Sequence, residues 1–181
     1  MSASDLAKDI LTFWLEAGPA KWFSKDDAFD AEFRDRFYDA HFAAARGEYA
    51  HWLDAADSAL SLILLLDQFP RNVFRGTGHM FATDPLALSY ARTAIAAGHD
   101  LKTDISHRAF FYLPLVHSES LANQERAVKL YEPLGEDWLP HAIDHRDIIA
   151  RFGRFPHRNP LLGRETTPEE TAFLNAGGFS G

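Results

Sequence analysis

The chain has no cysteine, and this absence removes several kinds of chemistry at once. Without a thiol it has no disulfide, no thiolate nucleophile and no cysteine-bound zinc. The fold must therefore be held together by its own core. A chain of 181 residues is long enough, because a domain of this size buries roughly two thirds or more of its unfolded surface. We expect a single domain that spans residues 1–181.

Long apolar runs are also missing. The longest, residues 62–66, is far shorter than the roughly 20 residues that cross a bilayer. The amino-terminal sequence from Met1 to Leu6 has neither the basic start nor the apolar stretch of a signal peptide. We therefore expect a soluble, cytoplasmic protein. The formal net charge of −8 argues against nucleic acids and anionic membranes as partners, because an acidic surface repels both.

No segment alternates apolar and polar residues as a half-buried strand does, whereas apolar residues recur at three- and four-residue spacing almost throughout. This pattern predicts an all-α fold of about eight helices in antiparallel pairs. The third helix, from about Asp54 to Gln68, is apolar on all sides in its second half and should be central. Pro70 should end it, and Pro114 should interrupt the fifth helix, because proline lacks a backbone N–H. The eight helices begin near Ser4, Ser24, Asp54, Asp84, Ile105, Ser118 or Ser120, Asp137 and Thr167.

One segment differs from the acidic remainder of the chain. Residues 145–164 contain five of the 18 basic residues and only one of the 26 acidic residues, Asp147. A cationic stretch of this kind either neutralises carboxylates of its own fold or binds an anionic ligand. Arg154, His157 and Arg158 lie beyond the end of a predicted helix, so the helix dipole does not explain them.

A second polar group follows the apolar third helix. Asp67 lies at its carboxyl end, where the helix dipole disfavours a carboxylate unless a cation compensates for it. Arg71 can supply that charge, and Gln68 and Asn72 complete the group. Either these residues form an internal ion pair that holds the following loop, or they line the polar wall of a ligand pocket.

A third polar group surrounds a predicted helix start. Capping explains Ser118 and Glu119 but not His117. The corner can hold an anion, and His117 with Glu119 can transfer protons, although two ligands are a weak signal for a metal site. His141 and His145 are four residues apart on one helix but have no third ligand at a known spacing. We interpret both as surface residues and expect neither a metal nor a cofactor.

Three stretches of the chain together resemble a known family. They read LLLDQFPRN from Leu64, YLPLVHSE from Tyr112, and RFPHRN from Arg154 followed by LGR from Leu162. In this order they resemble the bacterial family known as domain of unknown function 924, and the resemblance covers nearly the whole chain. It implies an all-helical fold similar to the right-handed array of tetratricopeptide repeats. It implies no activity.

We predict that the three polar groups converge on one pocket, since successive helix ends of a helical array can meet on one face. The predicted ligand-binding residues are Asp67, Gln68, Arg71, Asn72, His117, Glu119, His145, Arg154, His157, Arg158 and Asn159. Three hypotheses stay open. In the first, the arginines bind an anionic partner, either a peptide carboxylate or a phosphorylated small molecule. In the second, they form a buried network with carboxylates in a structural or interaction module without a ligand. In the third, the protein is a small-molecule enzyme with His117 or His157 as its acid–base group.

Overall fold

The computed structural model describes residues 3–180, and this part of the chain contains α-helices and short 3₁₀ turns but no β-strand. The all-α prediction is confirmed, and eight of the ten α-helices in this range have seven or more residues. The helices are α1 (Ala3–Ala17), α2 (Pro19–Trp22), α3 (Asp27–Ala45), α4 (Ala56–Val73), α5 (Asp84–Ala96), α6 (His99–Lys102), α7 (Ile105–Val116), α8 (Leu121–Tyr131), α9 (Leu139–Phe152) and α10 (Pro168–Asn175). None of the helices in residues 3–180 has the length and apolar character of a membrane span.

Several helix ends follow local sequence rules. Asp26 caps α3 by accepting hydrogen bonds from two backbone N–H groups of its first turn. Thr167, near which the last helix is predicted to begin, forms a capping box with Glu170 at the start of α10. At two of the predicted helix starts the serine is not a cap, because Ser4 lies inside α1 and Ser120 precedes α8 without a side-chain capping bond.

Helix α4, which the sequence analysis predicts as the apolar third helix, is the centre of the molecule. Residues 61–70 are all buried, and α4 packs against α1, α3, α5 and α7. The face of α3 that turns to the core carries Phe29, Phe33 and Phe37, each at most 5 % exposed. Because full burial of one such side chain is worth about 1.5–3 kcal/mol, this aromatic stripe is a main source of stability.

Pro70 does not end the central helix, so that prediction is wrong. α4 continues for three residues beyond it. Proline has no N–H, so the carbonyl of Leu66, four residues earlier, loses its helical donor. The hydroxyl of Thr83 donates to this oxygen at 2.6 Å, and Nδ1–H of His41 donates to the carbonyl of Leu65 at 2.8 Å. The helix contains the proline because the hydroxyl of Thr83 replaces the one backbone donor that the Leu66 carbonyl lacks.

Helices α4 and α7 are longer than predicted, and this changes how the polar groups are held. Arg71 and Asn72 belong to the last turn of α4 rather than to a loop. Contrary to the predicted interruption, α7 passes through Pro114 and ends with His117 as its cap residue. The segment after α9 contains a 3₁₀ turn at Pro156–Arg158. Most of the predicted site residues are therefore carried by regular backbone.

We expect Thr83→Val to lower the free energy of unfolding by about 1–3 kcal/mol, because the Leu66 carbonyl would remain buried without its donor. Valine is close to threonine in shape, so the loss reports mainly on the hydrogen bond. In a Pro70→Ala background the new backbone N–H can donate to Leu66, and Thr83→Val should then cost less. Urea denaturation of the four proteins measures this coupling. Equal losses in both backgrounds would contradict the compensation.

Candidate functional site

Asp67 is the centre of the polar group that forms where the three stretches meet. Its side chain is only 1 % exposed, yet both carboxylate oxygens have partners. Nδ1–H of His117 donates to Oδ1 at 2.7 Å, and the amide of Gln68 donates to Oδ2 at 2.9 Å. The guanidinium of Arg71 donates to Oδ1 at 3.3 Å and to the Asp67 carbonyl at 2.8 Å. Burial acts to raise the pKa of Asp67, but Arg71 and His117 outweigh it and hold that pKa below its usual value.

The contact with Asp67 determines the state of His117. A carboxylate only accepts hydrogen bonds, so Nδ1 carries the hydrogen and Nε2 has the lone pair of the neutral ring. Burial lowers the pKa of His117, and the nearby cation of Arg71 adds to this effect, although Asp67 opposes it. The side chain is 14 % exposed, and within residues 3–180 Nε2 has no hydrogen-bond partner. A neutral imidazole oriented by a carboxylate, with its basic nitrogen free, can act as a general base.

Arg158 reaches the same point from its 3₁₀ turn. It donates to the His117 carbonyl at 2.9 Å and to Asp84 at 3.3 Å. The rings of Phe81 and Phe155 lie against the guanidinium, each with its centroid 4.6 Å away. Burial lowers the pKa of Arg158 to about 10, and its Nε is buried without a partner among the described residues. The charge of this arginine is therefore only partly compensated.

The other arginines of the predicted site, together with Arg164, are more fully matched by carboxylates. Each donates two hydrogen bonds to one carboxylate, which is the strong bidentate arrangement. The pairs are Arg71 with Asp84 (2.8 and 2.9 Å), Arg154 with Glu170 (2.6 and 2.9 Å) and Arg164 with Glu119 (2.7 and 3.0 Å). Acidic residues from elsewhere in the chain thus neutralise much of the cationic segment 145–164.

The last two of these pairs fasten the segment that follows α9. Glu119 also accepts from the backbone N–H of Phe155 at 2.8 Å, and Glu170 accepts from the amide of Asn159 at 3.2 Å. Hydrogen bonds from Arg154 are the main reason that the pKa of Glu170 falls to about 2. The contacts of Glu119, Arg154 and Asn159 hold the backbone in place, which accounts for these residues without a ligand.

Two further histidines lie beside this group. Nδ1–H of His145 donates to the carbonyl of His141 at 2.7 Å, and its ring contacts those of Phe155 and Phe179, with centroids 5.5 and 4.5 Å away. The ring of His157 also contacts Phe179, at 5.1 Å. Burial lowers the pKa of His145 to about 4 and that of His157 to about 3. His145 is half-buried, so the interpretation of it as a surface histidine is wrong, whereas His141 is exposed.

Asn72 faces a different neighbour, and one central acid was not predicted. The Asn72 amide donates to Asp30 at 2.7 Å, and Asp30 also accepts from Arg75 at 2.9 Å. Asp84 contacts two site arginines, although its sequence position explains it fully as a helix-start acid. The sequence therefore carried no signal for this second role.

Among residues 3–180, no three His, Asp or Glu side chains are placed to hold a metal ion.

Comparisons with known proteins agree with the resemblance seen in the sequence. Residues 10–178 match a family described as bacterial protein of unknown function (DUF924). The structure of a protein of unknown function, ATU0120 from Agrobacterium tumefaciens, superposes with a TM-score of 0.96 at 60 % identity, covering 97 % of this chain and 100 % of that one. No curated protein matches the chain. Because the family match extends over most of the chain and includes all three polar stretches, this protein belongs to the bacterial family of unknown function DUF924.

Proposed function

We propose that this protein binds a small anionic molecule beside Arg158 and uses His117 as an acid–base group on it. The observation that carries the proposal is the 2.7 Å hydrogen bond from His117 Nδ1 to the buried carboxylate of Asp67. This bond leaves Nε2 as the nitrogen that can exchange a proton. This function combines the hypothesis of an anion-binding protein with the hypothesis of an enzyme that uses His117.

Stability alone gives little reason for such a pair. Asp67 lies near the end of an apolar helix, where both burial and the helix dipole disfavour a carboxylate. Replacing buried ion pairs by apolar side chains of similar volume is often neutral or stabilising. The carboxylate does, however, hold the ring of His117 in one tautomer and stabilises the imidazolium that forms when Nε2 takes a proton. The arrangement therefore suits proton transfer.

The charge of the ligand follows from Arg158. Its guanidinium has five N–H donors, and two hydrogen bonds are formed within the described residues. Burial and the neighbouring cation of Arg71 lower the pKa of Arg158 more than the nearby carboxylates raise it. A carboxylate or phosphate group would supply further negative charge.

A second candidate function is supported by the bidentate pairs of Arg71, Arg154 and Arg164. In this alternative the whole polar group is an internal network that fastens the segment after α9 to the end of α7, the start of α5 and α10. It would bind no ligand. Substitutions in the network would then change the stability of the protein without changing its response to any anion.

Thermal unfolding with a panel of anions separates the two candidates. We expect phosphate, small carboxylates or phosphorylated metabolites to raise the Tm of the wild type by several degrees, since saturation at 100 times Kd is worth about 2.7 kcal/mol. Added salt should reduce the shift. Arg158→Lys keeps the positive charge but loses the planar donor set, so it should abolish most of the shift.

Two controls belong to this experiment. Arg46→Lys changes an exposed arginine paired with Glu48 and should leave the anion response unchanged. His117→Gln removes the proton-accepting group and should retain the anion-induced shift while abolishing any turnover of a bound molecule. If no anion shifts the Tm of the wild type, and Arg158→Lys only destabilises it, the internal network without a ligand is the better description.

A further inference from the structure

A groove of about 290 Å³ lies along α9. Asp144, Ile148 and Phe152 line it from this helix, and their four-residue spacing places them on one stripe. Phe173 of α10 and Phe179 supply the rest of the apolar wall. The lining residues all lie outside the proposed anion site, so a ligand of this groove would be a second ligand with its own chemistry.

Two glycines after α10 bring Phe179 back to this groove. The N–H of Gly177 donates to the carbonyl of Leu174 at 3.1 Å, and the N–H of Gly178 donates to that of Phe173 at 3.0 Å. Gly177 has a φ of 82°, and a Cβ on Gly178 would lie 2.5 Å from the Phe173 ring, so both positions favour glycine. The chain is thereby reversed, and Phe179 becomes part of the groove wall.

One end of the groove already holds an organic cation that belongs to the protein. The guanidinium of Arg151 lies 4.6 Å from the centroid of the Phe152 ring and 5.8 Å from that of Phe173. Its Nε and Nη2 both donate to the Glu169 carboxylate at 3.0 Å. Ring faces attract cations electrostatically, and a carboxylate beside them adds to the attraction. This end of the groove thus shows the chemistry that its walls favour.

The other end has a carboxylate and a ring of the same kind. Asp144 lies one helical turn before Ile148, and Phe179 contacts His145, the residue that follows Asp144, with ring centroids 4.5 Å apart. The Phe179 side chain is 39 % exposed, and no Lys or Arg lies over its ring within residues 3–180. A cation from solution can therefore reach both the ring and the carboxylate.

The charges of the lining residues determine the sign of the ligand. Arg146 donates to Asp147 at 2.6 Å, and Glu169 accepts from Arg151, so these two lining charges are neutralised by neighbours. Asp144 is exposed and forms neither a hydrogen bond nor an ion pair with the part of the chain that the structure describes. One negative charge is thus left beside an apolar wall, where it attracts a cation and repels an anion.

We propose that this groove binds a small arylalkylamine. The aromatic ring of the ligand lies against Ile148 and Phe179, and its ammonium group pairs with Asp144. One helical turn, about 5.4 Å, separates Asp144 from Ile148, and a spacer of two or three carbon atoms spans this distance. The volume is sufficient, because an apolar cavity of about 150 Å³ already binds benzene and this groove has about 290 Å³.

The size of the groove favours a free small molecule over a segment of another protein. A stable protein interface buries about 1,200 Å² or more in total. Here the apolar wall consists of Ile148 and the three phenylalanines Phe152, Phe173 and Phe179, which matches one ring and a short chain. A mostly apolar wall with one polar group that fixes orientation is typical of small-molecule sites.

Amide NMR titration of the wild type with phenethylamine tests the proposal and locates the site. The shifts should concentrate in residues 144–152 and 173–179. Phenethylamine should bind about 3- to 10-fold more tightly than 2-phenylethanol, which has the same ring and no charge. Phenylacetate, with the opposite charge, should bind to this groove more weakly than the alcohol. Added salt should reduce the affinity for the amine and leave that for the alcohol nearly unchanged.

Two variants separate the contributions of the charge and the ring. Asp144→Asn should weaken the binding of phenethylamine about 2- to 5-fold and leave that of 2-phenylethanol unchanged, since only the ion pair is lost. Phe179→Ala should weaken the binding of both about 2- to 10-fold, because both contact its ring. Asp137→Asn, at an exposed acid just before α9, is the matched control and should behave as wild type.

Equal affinities for phenethylamine and 2-phenylethanol would overturn the proposal, as would an unchanged affinity for the amine in Asp144→Asn. The same holds if the amine at tens of millimolar shifts no amide of α9 or α10. If an acetylated Phe-Ala-Ala-Lys peptide binds more tightly than phenethylamine, the occupant is a protein segment and the small amine is overturned. The anion panel tests the proposed function independently, because it depends on Arg158 and on none of the groove residues.

Discussion

Asp67→Asn should lower the free energy of unfolding by about 3–5 kcal/mol, the largest loss that we expect from one side chain of the polar group. The substitution preserves shape but removes the negative charge that Arg71 and His117 share. It also turns an amide N–H₂ towards either the Gln68 amide or His117, where a hydrogen-bond acceptor is required. Buried donors without acceptors cost more than the hydrogen bonds themselves contribute.

Urea denaturation at pH 7 measures this loss, and the same helix provides a control. Asp57 lies exposed in the first turn of α4, where its charge interacts mainly with the helix dipole. Asp57→Asn should therefore cost only about 0.3–1 kcal/mol. A comparable small loss for Asp67→Asn would mean that the buried charge does not organise the site.

Acidification from pH 7 to pH 5 should destabilise the protein by on the order of 3 kcal/mol. His145 and His157 are neutral in the folded state because burial lowers their pKa values to about 4 and about 3. In the unfolded chain a histidine titrates near pH 6.5. Below that pH the unfolded state binds protons that the folded state does not. Stability is therefore complete above about pH 6.5 and decreases as the pH falls towards the folded pKa values.

Two other histidines act in the same direction. Burial lowers the pKa of His41 and that of His117, so both add to the loss of stability on acidification. The buried carboxylate of Asp67 contributes to stability over a different pH range. Its pKa is lowered in the folded state, so its contribution is present above about pH 4 and is lost only as the pH falls through its folded value. The loss between pH 7 and pH 5 thus reports on the histidines.

Urea denaturation at both pH values, on wild type and three variants, checks this assignment. His145→Asn and His157→Asn should each reduce the difference in unfolding free energy between pH 7 and pH 5 by a large fraction. His51→Asn, at an exposed position, should leave the difference unchanged. If the wild type retains its full stability at pH 5, the neutral burial of these rings is contradicted.

The helical architecture could be predicted because it depends on residues close together in the chain. The four-residue spacing of Phe29, Phe33 and Phe37 both forms one face of α3 and determines that this face is buried. Capping at Thr167 depends on Glu170 only three residues away. Pro70 shows where local rules fail, because the donor that allows it inside α4 comes from a distant residue, Thr83.

The candidate site could be predicted in part. The resemblance of three stretches identified most of the polar residues that the structure brings together, including Asp67 and His117, which are 50 residues apart. It did not predict that Asn72 would bind Asp30, nor that Phe179 would cover His145. These contacts depend on which helix faces pack together.

The sequence by itself determined that this chain forms helices, that α4 is central and that the basic segment would need negative partners. Only the tertiary structure decided which carboxylate each arginine received. Among the arginines of the predicted site, that choice left Arg158, between two phenylalanine rings, with the least compensation, and it gave His117 the buried carboxylate of Asp67. The physical reason is distance along the chain. Helix formation depends on neighbours within about four residues, whereas the pairing of buried charges depends on residues that packing brings together.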